Sequence, residues 1–276
     1  MKKLALPVLF APLLVLAGCS EQPGGEPVVR TSLDGSDPVE VVETPESEQS
    51  IAATTGACKP VAFEGIGLTH CVADPEAHSI RTALAPASGD DFGTIEAWAA
   101  GKDESNIAFA MNAGMYGDDL KPIGYYVEDS ERLAELNRAD GPGNFHMKPN
   151  GVFFGSGETW RVLDSDTFYR TVGDRPQFGT QSGPMLVVDG ELHPDFQDNG
   201  PSRAIRNGVG VDADGKAHFV ISDEPVSFGQ FARFFRDELS TPNALFLDGN
   251  VSSLWYPASG RIDRGRVGPI LVVEKK

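Results

Sequence analysis

Asp248 directly follows the apolar run Leu245-Phe246-Leu247 and is itself followed by Gly249, Asn250, Val251 and Ser252. Four other apolar runs also have small polar groups at one end. Asn112 and Gly114 close the run at 107–111, and Asn144, His146 and Asn150 lead into the run at 151–154. Gln181 and Ser182 precede 185–188, and Arg203 and Arg206 precede 208–211. A carboxylate can attack carbon or take a proton, and a guanidinium fork matches paired anionic oxygens. Uncharged amides and hydroxyls hold hydroxyl-bearing ligands, and the glycines among them allow close approach to the backbone. Brought into one cavity, these groups make a carbohydrate or phosphate pocket. A plainer reading stands beside this one at every position. Asp-Gly and Asn-Gly are common turn dipeptides, and an arginine in an acidic chain often serves a surface ion pair.

Other chemistries find less support. The histidines at 70, 78, 146, 193 and 218 show no paired ligand spacing, so no metal site and no cofactor are expected, with a divalent ion left open. Ser182 lies in Gly179-Thr-Gln-Ser-Gly183, which is not a nucleophile elbow. Asp212-Ala-Asp214-Gly215 lacks the third acidic position and distal glutamate of a calcium loop and reads as a hairpin turn.

The elements that must position these residues are mostly strands. Apolar runs of three to five residues recur at 107–111, 123–127, 151–154, 161–163, 185–188, 208–211, 218–221, 244–247 and 270–273. Asp189-Gly190 and Asp214-Gly215 between them favour hairpins and antiparallel pairing. Two helices are expected. One covers 94–100; the other starts at Ser227 with Gln230 three residues on, and puts Phe228, Phe231, Phe234, Phe235 and Leu239 on one face for packing. The expected class is α+β, a largely antiparallel or mixed sheet with helices packed against it, forming one domain over residues 57–276.

The start of the chain sets the compartment. Lys2 and Lys3 precede an apolar stretch at 4–17, too short to span a bilayer, and Leu16-Ala17-Gly18-Cys19 follows. This is a signal peptide over residues 1–18. Its ending resembles the lipobox of bacterial lipoproteins, which implies lipidation of Cys19. With Ser20 next, the resemblance implies the outer membrane, on its periplasmic or surface side, and membrane contact through lipid alone. Residues 19–56 hold eight acidic residues against Arg30 and few large apolar side chains, a composition that cannot offset ordering entropy and predicts a disordered acidic linker. Of the total charge of −17, the linker accounts for −7 and the leader for +2, leaving −12 on the domain. A nucleic-acid partner is thereby excluded. In an oxidising compartment, Cys58 and Cys71 form an even pair and are expected to make one disulfide. A monomer is expected.

In order along the chain, Asn112-Ala-Gly-Met-Tyr116, Pro149-Asn-Gly-Val-Phe153, Gln181-Ser-Gly-Pro184, Ser202-Arg-Ala-Ile205 and Leu247-Asp-Gly249 resemble the phosphodiester glycosidase family. One departure matters: the sequence reads Asp248-Gly-Asn-Val-Ser252 where the eukaryotic members and many bacterial ones carry Asp-Gly-Gly-Gly-Ser. The resemblance implies hydrolysis of a sugar-1-phosphodiester at its glycosidic bond, with Asp248 acting on the anomeric carbon or on an attacking water. A phosphate leaving group needs little help from a general acid, so one carboxylate can suffice. Asp118, Asp223 and Glu64 are open as a second one. Arg203 is the first choice for the phosphodiester and Arg206 the second. Asn112, Gly114, Asn150, Gln181, Ser182, Asn250, Ser252 and His146 are expected around the sugar. The alternative is a noncatalytic glycan-binding lipoprotein on the same scaffold.

Overall fold

The structure is a computed structural model that describes residues 56–84 and 93–276. The expected signal peptide, Cys19 and the linker as far as residue 55 lie outside the described residues. Period-two alternation along the strands decides the architecture. In Gly151–Ser156, Phe153 turns to one apolar cluster while Val152 and Phe154 turn to another. In Ala217–Ser222, Phe219 and Ile221 face the first cluster and Val220 a third.

Every pairing among the described strands is antiparallel, so the mixed alternative does not occur there. A seven-stranded sheet runs Cys58–Phe63, Ile66–Ala73, Ala217–Ser222, Asn207–Val211, Asn243–Phe246, Met185–Val188 and Glu191–Leu192, in spatial order. A five-stranded sheet runs Arg261–Ile262, Leu254–Tyr256, Ile107–Asn112, Ile270–Lys275 and His78–Ala83. Another runs Glu131–Ala134, Tyr126–Glu128, Phe178–Ser182, Gly151–Ser156 and Thr159–Asp164. Their inner faces share one core, in which Phe109, Phe153, Phe178, Phe219, Met185 and Leu245 are almost fully buried. Burying one such side chain stabilises by about 1.5–3 kcal/mol, and Phe153→Ala would cost about 3–5 kcal/mol with its cavity.

Each outer face is covered by a helix. Trp98 of Ile95–Ala99 packs on Ala110, Trp255 and Val272, and Phe168 of Ser165–Thr171 packs on Tyr125, Val152 and Phe154. The phenylalanine-rich helix is Phe228–Arg233, continued by a π-helical turn, Phe234–Glu238. Its Phe231, Phe234 and Phe235 cover Leu186, Val220 and Phe246. Ser227 caps it by accepting from Gln230 N at 3.2 Å. Gln230 does not complete the reciprocal box: its Oε1, the atom that would accept from Ser227 N, has no partner among the described residues, while its Nε2 donates to Glu64 O at 3.3 Å. Cys58 and Cys71 face each other across the first hairpin and are joined by a disulfide. No helix among the described residues is long and apolar enough to cross a membrane.

Candidate active site

The strand Asn243–Phe246 lies inside the seven-stranded sheet, paired on both sides. Its continuation is held just as firmly. Leu247 N donates to Asn207 O at 3.0 Å, Asp248 N to Ala113 O at 3.3 Å, and Asn112 Nδ2 to Asp248 O at 2.9 Å. Gly249 then opens the 3-10 turn Gly249–Val251, which includes Asn250. A Cβ at Gly249 would stand 2.5 Å from the Phe246 ring, so the chain turns there only with glycine. The half-buried Asp248 therefore sits on a fixed backbone. It lines a cavity of ≈ 290 Å³ together with Tyr116, His146, Ala204, Arg206 and Phe246. Its carboxylate is close enough to reinforce the upward shift of the Tyr116 phenol, which burial mainly causes. Tyr116 donates its hydroxyl to Arg266 O at 2.9 Å.

The cation in this cavity is Arg206, not Arg203. Ala204 and Arg206 both line it, whereas Arg203 is exposed and its Nη1 reaches Pro225 O at 3.4 Å. Arg206 is 2% exposed, with its Cζ 3.5 Å from the centre of the Phe228 ring and 5.4 Å from that of Phe246. Nε donates to Val226 O at 2.9 Å, and Nη2 to Ser202 O at 3.0 Å and Ser202 Oγ at 3.2 Å. Nη1 has no protein hydrogen-bond partner among the described residues and is left for the cavity. The group can thus offer a ligand the N–H groups of Nη1, rather than the two-nitrogen fork expected from sequence. Burial pulls the guanidinium down to about 10, a cost that an anion entering the cavity would reverse.

His146 also lines the cavity. Its Nδ1 is 3.1 Å from Ala139 O, and a carbonyl can only accept, so Nδ1 is the donor of that bond. Asn150 acts behind this wall: its Nδ2 donates to Phe145 O at 2.8 Å and fixes the 3-10 turn Asn144–His146.

Several residues expected around the sugar turn out to be braces. Gln181 Oε1 accepts from Tyr125 N and Asn137 N, each at 2.9 Å, while Nε2 donates to Asn137 O at 2.7 Å and Ser165 Oγ at 2.9 Å. Its amide has nothing left for a ligand. Gly114 is required by a chain crossing, since a Cβ there would stand 2.1 Å from Gln181 O. Ser182 is fully buried with no partner for Oγ among the described residues, and does not line the cavity. Asn112 Oδ1 accepts from Asn207 Nδ2 and Ser253 N, both at 2.9 Å. Ser252 Oγ donates within the same network, to Asn207 Oδ1 at 3.2 Å. Sequence reading missed Asn207, the hub of this network. Its signal is an amide immediately before an apolar run, the mirror of the pattern that singled out Asn112 at the end of one.

The three carboxylates considered as a second catalytic acid lie elsewhere. Asp223 pairs with Arg261 and Glu64 with Arg233, and Asp118 is not part of the cavity lining. Two larger cavities, of ≈ 620 and ≈ 830 Å³, open beside Tyr169 and beside His70. The smaller one is the candidate because three of the five motif stretches line it and the other two brace its wall through Asn150 and Gly183. Among the described residues, no His, Cys, Asp or Glu cluster is arranged to hold a metal ion.

Comparison with known proteins points the same way. The model of the family described as phosphodiester glycosidase matches residues 105–273, more than half of the chain. Uncharacterized protein YigE of Escherichia coli is 33% identical over 183 residues, covering 66% of this chain and 71% of that protein. The fold is similar to the catalytic domain of zebrafish N-acetylglucosamine-1-phosphodiester alpha-N-acetylglucosaminidase, in a form auto-inhibited by its pro-peptide. That match has a TM-score of 0.55 at 14% identity and covers 79% of this chain and 82% of the other. A hypothetical protein from Synechocystis is similar at a TM-score of 0.51 and 16% identity, over 79% of this chain and 61% of that one. With the family match spanning every strand that shapes the cavity, the chain belongs to the phosphodiester glycosidase family.

Proposed function

We propose that this protein hydrolyses sugar-1-phosphodiesters at the glycosidic bond, and that the ≈ 290 Å³ cavity is where it does so. One observation carries the reading: a buried arginine and a backbone-pinned carboxylate line the same cavity. Nη1 of Arg206 takes a non-bridging phosphoryl oxygen, which supports charge on the departing phosphate. Asp248 supplies the carboxylate for attack at the anomeric carbon. The bond between that carbon and the phosphate oxygen breaks, water provides the hydroxyl of the free sugar, and a phosphomonoester leaves. The leaving group is a weak base, so the lack of a second carboxylate among the described cavity-lining residues is no obstacle. His146 Nε2 is available for a substrate hydroxyl. The sequence features at residues 1–19 add the proposal that the enzyme is anchored to a bacterial envelope through lipid on Cys19, which Cys19→Ala would release into the soluble fraction.

The test is release of reducing sugar from UDP-glucose and UDP-N-acetylglucosamine by the purified protein. Turnover is expected, with Asp248→Asn lowering it by about 10²–10⁴-fold at unchanged melting temperature. Binding of these donors with no sugar released would show a noncatalytic glycan receptor instead.

A further inference from the structure

A second cavity, of ≈ 620 Å³, shares a wall with the first. Ile123 lines one and Tyr125 the other; Leu136 and Arg138 face the second, and Pro142 to His146 the first. Gln181 stitches this wall together through its bonds to Tyr125 and Asn137. The floor of the second cavity is apolar, made by Tyr125, Phe168, Leu136 and Val172.

One polar group in that floor is unused. Tyr125 is 5% exposed and its ring is wedged edge-on against Phe168 at 4.8 Å. Among the described residues its hydroxyl has no hydrogen-bond partner, and it is not sealed from solvent, so it is open to a ligand or to water in the cavity. Burial raises this phenol; Arg132 and then Arg175 pull it back, ahead of the opposing push from Glu135. Both guanidiniums line the same cavity as Tyr125, together with Glu135 and Asp174. Arg132 is bonded to the exposed Glu135 at 3.0 Å, and Arg175 Nη1 to Ser130 O at 3.3 Å. At the rim, Tyr169 is 63% exposed, with Arg138 stacked over its ring at 4.4 Å and held by Asp166. An exposed aromatic face whose orientation is fixed by a stacked arginine is a platform for the C–H face of a sugar ring.

We propose that this cavity binds an acidic saccharide. The acidic group meets Arg175 and Arg132 beside the Tyr125 hydroxyl, and a sugar ring stacks on Tyr169. The proposal does not depend on hydrolysis in the neighbouring cavity.

Calorimetric titration of the purified protein with trigalacturonate, glucose 6-phosphate and neutral maltotriose tests it, the first two distinguishing carboxylate from phosphate. At least one acidic probe is expected to bind, and maltotriose to bind more weakly. Tyr125→Phe removes a single oxygen and is expected to weaken the acidic probe about fivefold, with Arg175→Ala and Tyr169→Ala weakening it about tenfold. Asp248→Asn should leave it unchanged, which separates this site from the proposed active site. The proposal is overturned if neither acidic probe binds, if maltotriose binds as well, or if Tyr125→Phe and Arg175→Ala bind like the parent while Asp248→Asn does not. No sugar release is read, so failure of the glycosidase reading would leave this result standing.

Discussion

The strand pair Asn207–Val211 and Ala217–Ser222 carries a buried ionisable cluster at each end, roughly 13 Å apart at about 3.3 Å per residue. At one end Arg206 lies under Phe228; at the other His70 meets the edge of Phe234, a later residue of the same helical segment. Both clusters are desolvated. Burial, helped by His218 and Lys59, holds His70 down at about 4, as burial holds Arg206 at about 10. They differ in where the hydrogen bonds go. His218 has both ring nitrogens engaged, Nδ1 with His70 Nε2 and Nε2 with Asp212 Oδ2, each at 2.9 Å. Asp212 Oδ1 in turn accepts from Asp214 N and Lys216 N, both at 2.9 Å. Arg206 keeps Nη1 for a cavity. Burial and shifted acidity mark both clusters, and His70 also lines an open cavity, so none of these separates function from framework; the motif stretches do, since three of them line the cavity of Arg206 and none lines the one beside His70.

The sharpest way to break this comparison is to substitute the central residue at each end. Arg206→Met keeps apolar contact with Phe228 but removes the donor, and kcat/KM for a UDP-sugar is expected to fall by about 10²–10³-fold. His218→Gln is expected to leave kcat/KM at pH 7.5 within about threefold, since nothing places it near the reacting atoms. Equal losses in the two variants would refute the distinction. The next effect in size belongs to Asn207→Ala, which deprives Asn112 Oδ1 of one donor and the Ser252 hydroxyl of an acceptor in a buried network. A loss of about 1–3 kcal/mol in denaturant unfolding is expected. Because Asn112 also holds the Asp248 carbonyl, kcat should drop while KM stays nearly constant.

The elements were legible because strand periodicity is local. Phe153 and Val152 declare opposite faces in the sequence, and the phenylalanine stripe from Phe228 declares a helix lying on a sheet. Asp248 was legible in the sequence too, since a carboxylate ending an apolar run emerges at the end of a strand, and here that end lines a cavity. Which of two arginines turns inward was not. Arg203 and Arg206 lie three apart, the first inside the two-residue strand Arg203–Ala204 and the second just past it, and the pairing of that strand with Val226–Ser227 is a long-range contact that local sequence does not show. Gln181 was misread for a related reason: its four hydrogen bonds go to Tyr125, Asn137 and Ser165, all distant in sequence. Saturation by remote partners leaves no local trace.

The histidine end makes its own prediction, on stability rather than turnover. His70 titrates near 4 in the folded protein against 6.5 for an ordinary imidazole, so below pH 6.5 the unfolded chain binds the proton that the folded one refuses. Stability is therefore complete above about pH 6.5 and falls as the pH drops toward 4. His78 and His193, also held low by burial, act in the same direction. Melting temperatures measured across pH 7 to 4.5 should decline, and His70→Gln should flatten that decline. An unchanged slope in the variant would show that the imidazole pair is not the origin.

The smallest effect sharpens the comparison most economically. Arg203 is a cation of the same type as Arg206, three residues away, but exposed and bonded only to Pro225 O at 3.4 Å among the described residues. A long contact to a carbonyl in high dielectric contributes little, so Arg203→Ala should change stability by no more than about 0.5 kcal/mol. Its kcat/KM should stay within about threefold of the parent, a residue of that loss being field at a distance, which 0.5 M salt would erase. A loss matching that of Arg206→Met would mean that the phosphate is held outside the cavity, on the Arg203 side of the short strand, and that the buried guanidinium is framework after all.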